Sequence, residues 1–310
     1  MTEMEMVLAS SRDDLAQLDS SSLIPSFLMA LDAADSTRKT YQRSLRQFSL
    51  WLTETGKELL NLRRGDILEY KKALSERSPY TISTYITAVR RLFEWLEAER
   101  IYPNVAKGVR GAKKARGYRK DCLTVPQIRE ALESFDRSSL EGLRDFALFN
   151  LLVRTGLRTI EISRAQVGDL RQESGEAVLW IQGKGRDEKD DFVLLTEEAL
   201  RPIWEWLSAC GKVEETAPLF SSLSPRNHGE ELTTRSISRI VKETLRRIAL
   251  DSSRLTAHSL RHTAVTLAVS GGASLQQAQA MARHSDPRTT MVYFHNLDRV
   301  RDGAEKCIQI

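Results

Sequence analysis

Apolar residues recur every three or four positions between Ser36 and Pro103, a spacing that restricts this segment to amphipathic helices. We predict a first helix that Ser36 caps and Gly56 ends, a second from about Arg64 to Ser78, and a third that ends at Pro103. Their apolar faces would pack together, so we expect a compact helical bundle with polar outer surfaces.

Positive charge is concentrated in the same segment. Residues 36–120 carry twenty Lys and Arg against eight acidic residues, whereas residues 1–35 carry one Arg against seven acids. The rest of the chain is nearly balanced, so the modest net charge of +4 conceals one strongly basic module. Such a module favours a polyanionic partner over a merely solvated surface. The candidate phosphate-backbone contacts are Lys39, Arg43, Arg46, Arg90, Arg91, Lys113, Lys114, Arg116, Arg119 and Lys120.

Length and composition further limit the class of protein to which this chain can belong. A length of 310 residues predicts about two domains. Three scattered cysteines argue against a disulfide framework or a structural zinc site. No apolar run approaches the ~20 residues that span a bilayer, and the acidic N-terminus is unlike a signal peptide. We therefore expect a cytoplasmic protein with no membrane partner.

The second half of the chain reads as mostly helical with one strand pair. Thr124 and Pro126 predict a helix start, and an apolar helix stops at Gly156. Residues 177–182 and 191–195 read as two strands around a glycine-flanked turn that holds Lys184.

Chemistry-bearing side chains cluster in this half. Arg158 should lie at a helix start, where Glu161 could hold its guanidinium. His258 and Arg261, three positions apart, would face one point from one helix. Four of the five histidines lie within residues 258–295, beside Tyr293 as candidate nucleophile. His262 and His295 have no obvious partner and are interpreted as structural.

Two arginines can bind a phosphate through bidentate forks, and a histidine can move a proton near neutral pH. A lysine on a flexible hairpin can protonate a leaving oxygen; Lys184 is the candidate, and Arg186 and Lys189 are rivals that the hairpin signal does not separate from it. Tyr293 would then attack a phosphodiester. No acidic cluster with metal-ligand spacing accompanies these residues, which disfavours a metal-dependent nuclease.

In this order the residues resemble the tyrosine recombinase (phage integrase) family. The matching pieces are the runs at 155–161 and 183–185, His-Ser-Leu-Arg-His at 258–262, and the segment from His284 to Tyr293. The resemblance implies a mainly α fold. A helical core-binding domain would clamp DNA at residues 23–110, after an acidic arm at 1–22. A basic linker at 111–121 would join it to a mixed α/β catalytic domain with a small antiparallel sheet and a tail helix, at 122–310.

The resemblance also implies the roles. Tyr293 would form a 3′-phosphotyrosyl link, Arg158 and Arg261 would clamp the phosphate, and Lys184 would protonate the 5′-oxygen. His258 would assist with the tyrosine proton, and His284 would hydrogen-bond a phosphate oxygen. Neither metal nor other cofactor is implied. The expected partners are double-stranded DNA with a short inverted-repeat core site, three further protomers docked through the tail, and an accessory or directionality factor.

Two residues depart from the family pattern. Arg283 stands before the second histidine, where glycine is frequent, and it adds a charge near the phosphate. Ala257 stands where many relatives have proline. Neither removes a catalytic group, so we expect an active enzyme, with a weak preference for a mobile-element recombinase over dimer resolution.

Two alternatives stay open. One is a DNA-binding protein of the same fold that has lost the chemistry; the other is a topoisomerase or telomere resolvase that uses the same chemistry. The short stretch before Ser36 leaves little chain for a domain that binds separate arm sites, which favours a simple two-domain recombinase.

Overall fold

The computed structural model describes residues 20–113, 121–183, 185–211, 213–301 and 304–308. The chain divides into two compact units, Met1–Arg116 and Gly117–Ile310. Within the described ranges, no helix combines the length and the apolar character needed to cross a membrane. The domain boundaries expected from the sequence remain predictions.

The first unit is helical. Phe48, Trp51 and Tyr70 form an aromatic cluster at its centre, with the Phe48 and Tyr70 ring centroids 4.8 Å apart. Burying each such ring stabilises the unit by ~1.5–3 kcal/mol. Its elements are α1 Ser20–Ala30, α2 Asp35–Thr55, a 3₁₀ turn Leu59–Asn61, α3 Arg64–Ala73 and α4 Pro79–Ala98.

Three helix boundaries differ from the sequence prediction; one is the end of α3, which lies at Ala73 rather than at Ser78. Ser36 does not cap α2: the N-cap residue is Ala34, two positions earlier, and its carbonyl accepts hydrogen bonds from the backbone N–H groups of Thr37 and Arg38. The third helix, α4, ends at Ala98 rather than at Pro103, because the chain turns at Arg100 with a left-handed φ of 58°. Gly56 ends α2 as predicted.

The second unit is mainly helical with one small sheet, as expected. Thr124 caps α5 by accepting a hydrogen bond from the Gln127 N–H. Helix α6 is buried along most of its length and packs on α8 and α10. The helices are α5 Val125–Glu133, α6 Leu140–Thr155, α7 Thr159–Ser163, α8 Glu197–Cys210, α9 Thr234–Arg247, α10 Ala257–Ser270, α11 Leu275–Ala282, α12 Pro287–Arg301, with a final 3₁₀ turn Ala304–Cys307.

The sheet is antiparallel in the order β1–β2–β3, with β1 Leu170–Glu173, β2 Glu176–Ile181 and β3 Asp191–Leu194. Strands β2 and β3 match the predicted pair, with Trp180 opposite Phe192. Helix α12 runs through Tyr293 to Arg301, and Ile308 lies exposed beyond the 3₁₀ turn, while the expected tail helix remains a prediction.

Candidate active site

In the second unit, two helices end at residues with a left-handed backbone conformation, and both ends lie at the candidate site. Helix α6 stops at Gly156, whose φ is 62°, and the chain reverses towards Arg158. Helix α11 stops at Arg283, whose φ is 50°. There the Arg283 N–H bonds to Ala280 and the His284 N–H to Gln279, a Schellman arrangement that satisfies the last carbonyls. These two reversals place side chains far apart in sequence in one pocket.

Arg158 is the N-cap residue of the short helix α7 and is held by Glu161, as predicted. Its Nη1 donates to Glu161 Oε1 at 2.6 Å, and its backbone N–H donates to Oε2 at 2.7 Å. Glu161 is fully buried, while the Arg158 side chain is 30 % exposed. Burial alone would raise the pKa of Glu161, but Arg283 and Arg158 outweigh it and keep the pKa below its ordinary value. The carboxylate therefore stays charged and orients Arg158.

Arg261 is the second guanidinium and is almost completely buried on α10. Its Nη1 donates to the Gly156 carbonyl at 2.7 Å, and its Nη2 donates to the carbonyl of Ala282. Burial, followed by the nearby charges of Arg158 and Arg283, lowers the pKa of Arg261 to about 9. The protonated form of Arg261 is destabilised here, so a bound anion would stabilise it and is favoured at this position.

His284 is a neutral histidine at physiological pH. Burial, with Arg261 and Arg158 as the next causes, lowers its pKa to about 4. Its Nδ1 lies 2.9 Å from Thr290 Oγ1, and its ring stacks on Tyr293 with centroids 6.4 Å apart. A neutral imidazole carries only one N–H, so Nδ1 either donates to Thr290 or accepts from it, and the other ring nitrogen takes the opposite role.

Tyr293 is buried on α12, at 3 % exposure, among small apolar residues of α10 and α11. Its hydroxyl lies 2.5 Å from His262 Nδ1. The sequence showed no obvious partner for His262, but its ring contacts the candidate nucleophile; whether its role is structural stays open. His258 stands one turn earlier on α10, with its ring centroid 4.7 Å from that of His262.

Lys184 lies outside the described residues, whereas both of its rivals are engaged in ion pairs. Lys189 Nζ bonds to both carboxylate oxygens of Asp169, at 2.8 and 2.7 Å, and to Gln166. Arg186 pairs with Asp190 at 2.6 Å on the surface. The assignment of Lys184 as the acid remains a prediction.

The candidate DNA contacts that the structure describes fall into two groups, both in the first unit. Lys39, Arg43 and Arg46 are exposed on α2, and Lys113 is exposed near the end of the unit. Arg90 and Arg91 instead share Glu94 on α4, at 3.6 and 3.1 Å, so their charge is partly neutralised. Lys114, Arg116, Arg119 and Lys120 lie outside the described residues.

The described side chains include no group of three or more His, Cys, Asp or Glu arranged to hold a metal ion. His295 is exposed beyond Tyr293. The residues that sequence reasoning missed are His262 and Thr290. The signal for His262 was present, since it follows His258 by four positions and so lies on the same face of α10.

Residues 122–299 match the phage integrase family, and residues 14–100 match the SAM-like N-terminal domain of phage integrases. The first match covers more than half of the chain, which therefore belongs to the phage integrase, or tyrosine recombinase, family.

Similar proteins agree with that assignment. A curated tyrosine recombinase of Synechococcus elongatus is 29% identical over 83% of this chain and 84% of its own length. XerD of Listeria monocytogenes is 29% identical over 84% of this chain and 88% of its own length. Two solved structures share the fold.

The XerH recombinase bound to its palindromic difH substrate in a post-cleavage complex has a TM-score of 0.73 at 22% identity, covering 96% of this chain and 88% of that one. A lambda integrase dimer bound to a COC′ core site has a TM-score of 0.66 at 17% identity, covering 88% of this chain and 94% of that one.

Proposed function

We propose that this chain is a site-specific recombinase that cleaves and rejoins double-stranded DNA through a 3′-phosphotyrosyl intermediate. One observation carries the proposal: Arg158, Arg261, His284 and Tyr293, from four separate segments, meet in one largely buried, positively charged cluster. Two guanidiniums can bind the non-bridging oxygens of a phosphodiester and stabilise a pentavalent transition state.

In the proposed reaction Tyr293 Oη attacks the phosphorus, and its proton passes to a histidine. His258 is the expected acceptor from the family pattern, but His262 is the ring whose nitrogen lies 2.5 Å from the hydroxyl. The bond from phosphorus to the 5′-oxygen breaks, and Lys184 supplies the proton to that oxygen. A 5′-hydroxyl then attacks the phosphotyrosyl bond in reverse, so the bond energy is kept and neither ATP nor a metal is needed.

Tyr293 must become accessible before it can attack, because it is 3 % exposed in this conformation. We propose that this happens when the protein assembles as a tetramer on two inverted-repeat core sites, with the segment after α12 docked on the neighbouring protomer. Integration, excision and dimer resolution share this chemistry, and a directionality factor would select among them. A DNA substrate of this kind supports the expectation of a cytoplasmic protein.

The direct test is covalent trapping on fragmented genomic DNA of the source organism, in EDTA, followed by SDS and sequencing of the protein-bound fragments. Wild-type protein should enrich one inverted-repeat sequence, and Tyr293→Phe should enrich none covalently. Tyr80→Phe is the matched control, because Tyr80 is an exposed tyrosine of the other unit.

The outcomes separate the remaining candidates. Enrichment of one sequence without any covalent adduct contradicts the proposal and favours a DNA-binding protein that has lost the chemistry. Adducts distributed without sequence preference favour a topoisomerase-like activity. An adduct that EDTA abolishes removes the metal-independent mechanism.

A further inference from the structure

The pocket contains three guanidiniums for one buried carboxylate. Arg158 and Arg283 both bond to Glu161, and Arg261 lies beside them. With His284 neutral, the formal charge of this group is +2. A buried excess of positive charge is costly unless an anion neutralises it.

Arg283 is the member of this group that has no role in the proposed reaction. Its side chain is 7 % exposed, and its Nη2 donates to Glu161 Oε2 at 2.9 Å. Its Nη1 bonds to the Met281 carbonyl at 2.6 Å, and its own carbonyl receives a bond from Arg158 Nη2 at 3.4 Å. Arg283 therefore contacts Arg158 both directly and through the carboxylate they share.

Two features show that Arg283 occupies a position that does not favour it locally. Its left-handed backbone, with φ of 50°, is the helix-ending conformation that glycine adopts most easily. Its Nε is buried with no hydrogen-bond partner among the described residues, and burial lowers the pKa of its guanidinium. A strained backbone position and an unsatisfied buried donor indicate that the side chain serves the site rather than the fold.

We propose that Arg283 is a positioning residue of the phosphate site: it shares Glu161 with Arg158, holds the Arg158 guanidinium in place, and adds the charge that draws a phosphate into the pocket. Glu161 acts as a bridge whose two oxygens are divided between the arginines, with Oε1 on Arg158 Nη1 and Oε2 on Arg283 Nη2. This inference rests on the proposed phosphodiester chemistry but can be tested without it.

The first measurement uses inorganic phosphate and the free full-length protein. Phosphate is titrated at constant ionic strength, and its dissociation constant is taken from the rise in the thermal unfolding midpoint and from calorimetry. Arg283→Gly should weaken phosphate binding by about tenfold or more, the size of one charge-assisted contact, and Arg283→Lys should recover part of it.

Glycine is chosen because it adopts the left-handed backbone conformation without strain, so the substitution should not weaken binding by destabilising the fold. Ala249→Gly is the matched control: Ala249 has a φ of 58°, is exposed, and lies in the same unit. It should leave phosphate affinity unchanged. No phosphate-dependent rise in the wild type, or wild-type affinity in Arg283→Gly, would overturn the proposal.

A double-mutant cycle tests whether Arg283 affects phosphate binding through Arg158. If Arg283 acts largely by holding Arg158, its substitution should weaken phosphate binding less in the Arg158→Gln protein than in the wild type, leaving only the loss of its charge. Fully additive losses would contradict the positioning role.

The second measurement is the rate of covalent adduct formation on the captured core-site duplex. Arg283→Gly should slow it about tenfold or more while duplex affinity stays within about twofold. An unchanged adduct rate overturns the inference. A wild type that forms no adduct refutes the proposed function, and the phosphate titration still decides whether Arg283 belongs to an anion site.

Discussion

At the scale of single residues, burial decides what each group in the pocket can do. The same low-dielectric surroundings keep His284 neutral and destabilise the charge on Arg261, while Glu161 remains ionised because two arginines contact it. The Tyr293 hydroxyl contacts His262, and the side chain is buried instead of facing solvent. The cluster is thus suited to bind an anion, and under the proposed mechanism Tyr293 needs a change of conformation before it can attack.

The pKa of His284 predicts a pH-dependent stability. In the folded protein the ring stays neutral down to about pH 4, whereas in the unfolded chain it takes up a proton below its ordinary value of 6.5. The unfolded state therefore binds more protons between these values, and His284 destabilises the fold as the pH falls through this window. Because the ring is partly exposed, we expect this loss in the free energy of unfolding to be about 1–2 kcal/mol.

His284→Gln should remove this part of the acid sensitivity, since glutamine does not titrate and can still bond to Thr290. The measurement is the free energy of urea unfolding from pH 4 to pH 7. His228→Gln, at an exposed histidine before α9, controls for the substitution itself. If wild type and His284→Gln lose stability in parallel below pH 6.5, the assigned cause is wrong.

At the scale of elements, the end of α6 is where fold and site depend on each other most closely. Gly156 needs its left-handed φ of 62°, and a Cβ there would lie 3.3 Å from the Ala264 Cβ and 3.7 Å from the Arg261 Cγ. Its carbonyl accepts a hydrogen bond from Arg261. Gly156→Ala should therefore cost about 1–2 kcal/mol of stability and also slow adduct formation.

Gly56 provides a closely matched comparison for this prediction. It ends α2 with φ 64° and ψ 23°, nearly the 62° and 24° of Gly156, but a Cβ there would meet nothing within 4 Å. Gly56→Ala should show the backbone cost alone in urea unfolding, with the adduct rate unchanged. Equal losses of activity in both variants would mean that the close packing at Gly156 is unimportant.

Elements with strong local signals could be predicted, and contacts between distant segments could not. The ends of α2 and α6 followed from Gly56 and Gly156, whereas β1 was missed because Leu-Arg-Gln-Glu lacks apolar alternation. The bond between Arg283 and Glu161 joins residues 122 positions apart, and that between His262 and Tyr293 spans 31. Nothing local encodes such pairs, since each depends on how α10, α11 and α12 pack.

At the scale of the whole molecule, positive charge is divided between two tasks. In the second unit it is buried around one pocket, where it would act on a single phosphate. In the first unit it is spread over exposed helix faces, where it would act on the DNA backbone and carry the salt dependence of binding. Arg43 and Arg46 are fully available for this, because within the described part of the chain neither forms an ion pair.

Two double variants with the same loss of charge test that division. Arg43→Gln/Arg46→Gln should reduce the slope of log affinity against log salt by about 2 on a core-site duplex, since each lost phosphate contact removes ~0.9. Arg90→Gln/Arg91→Gln should reduce it less, because both arginines already share Glu94 and would have to leave it to reach a phosphate. Equal reductions in the two variants would show that net charge, rather than the exposed face of α2, determines DNA binding.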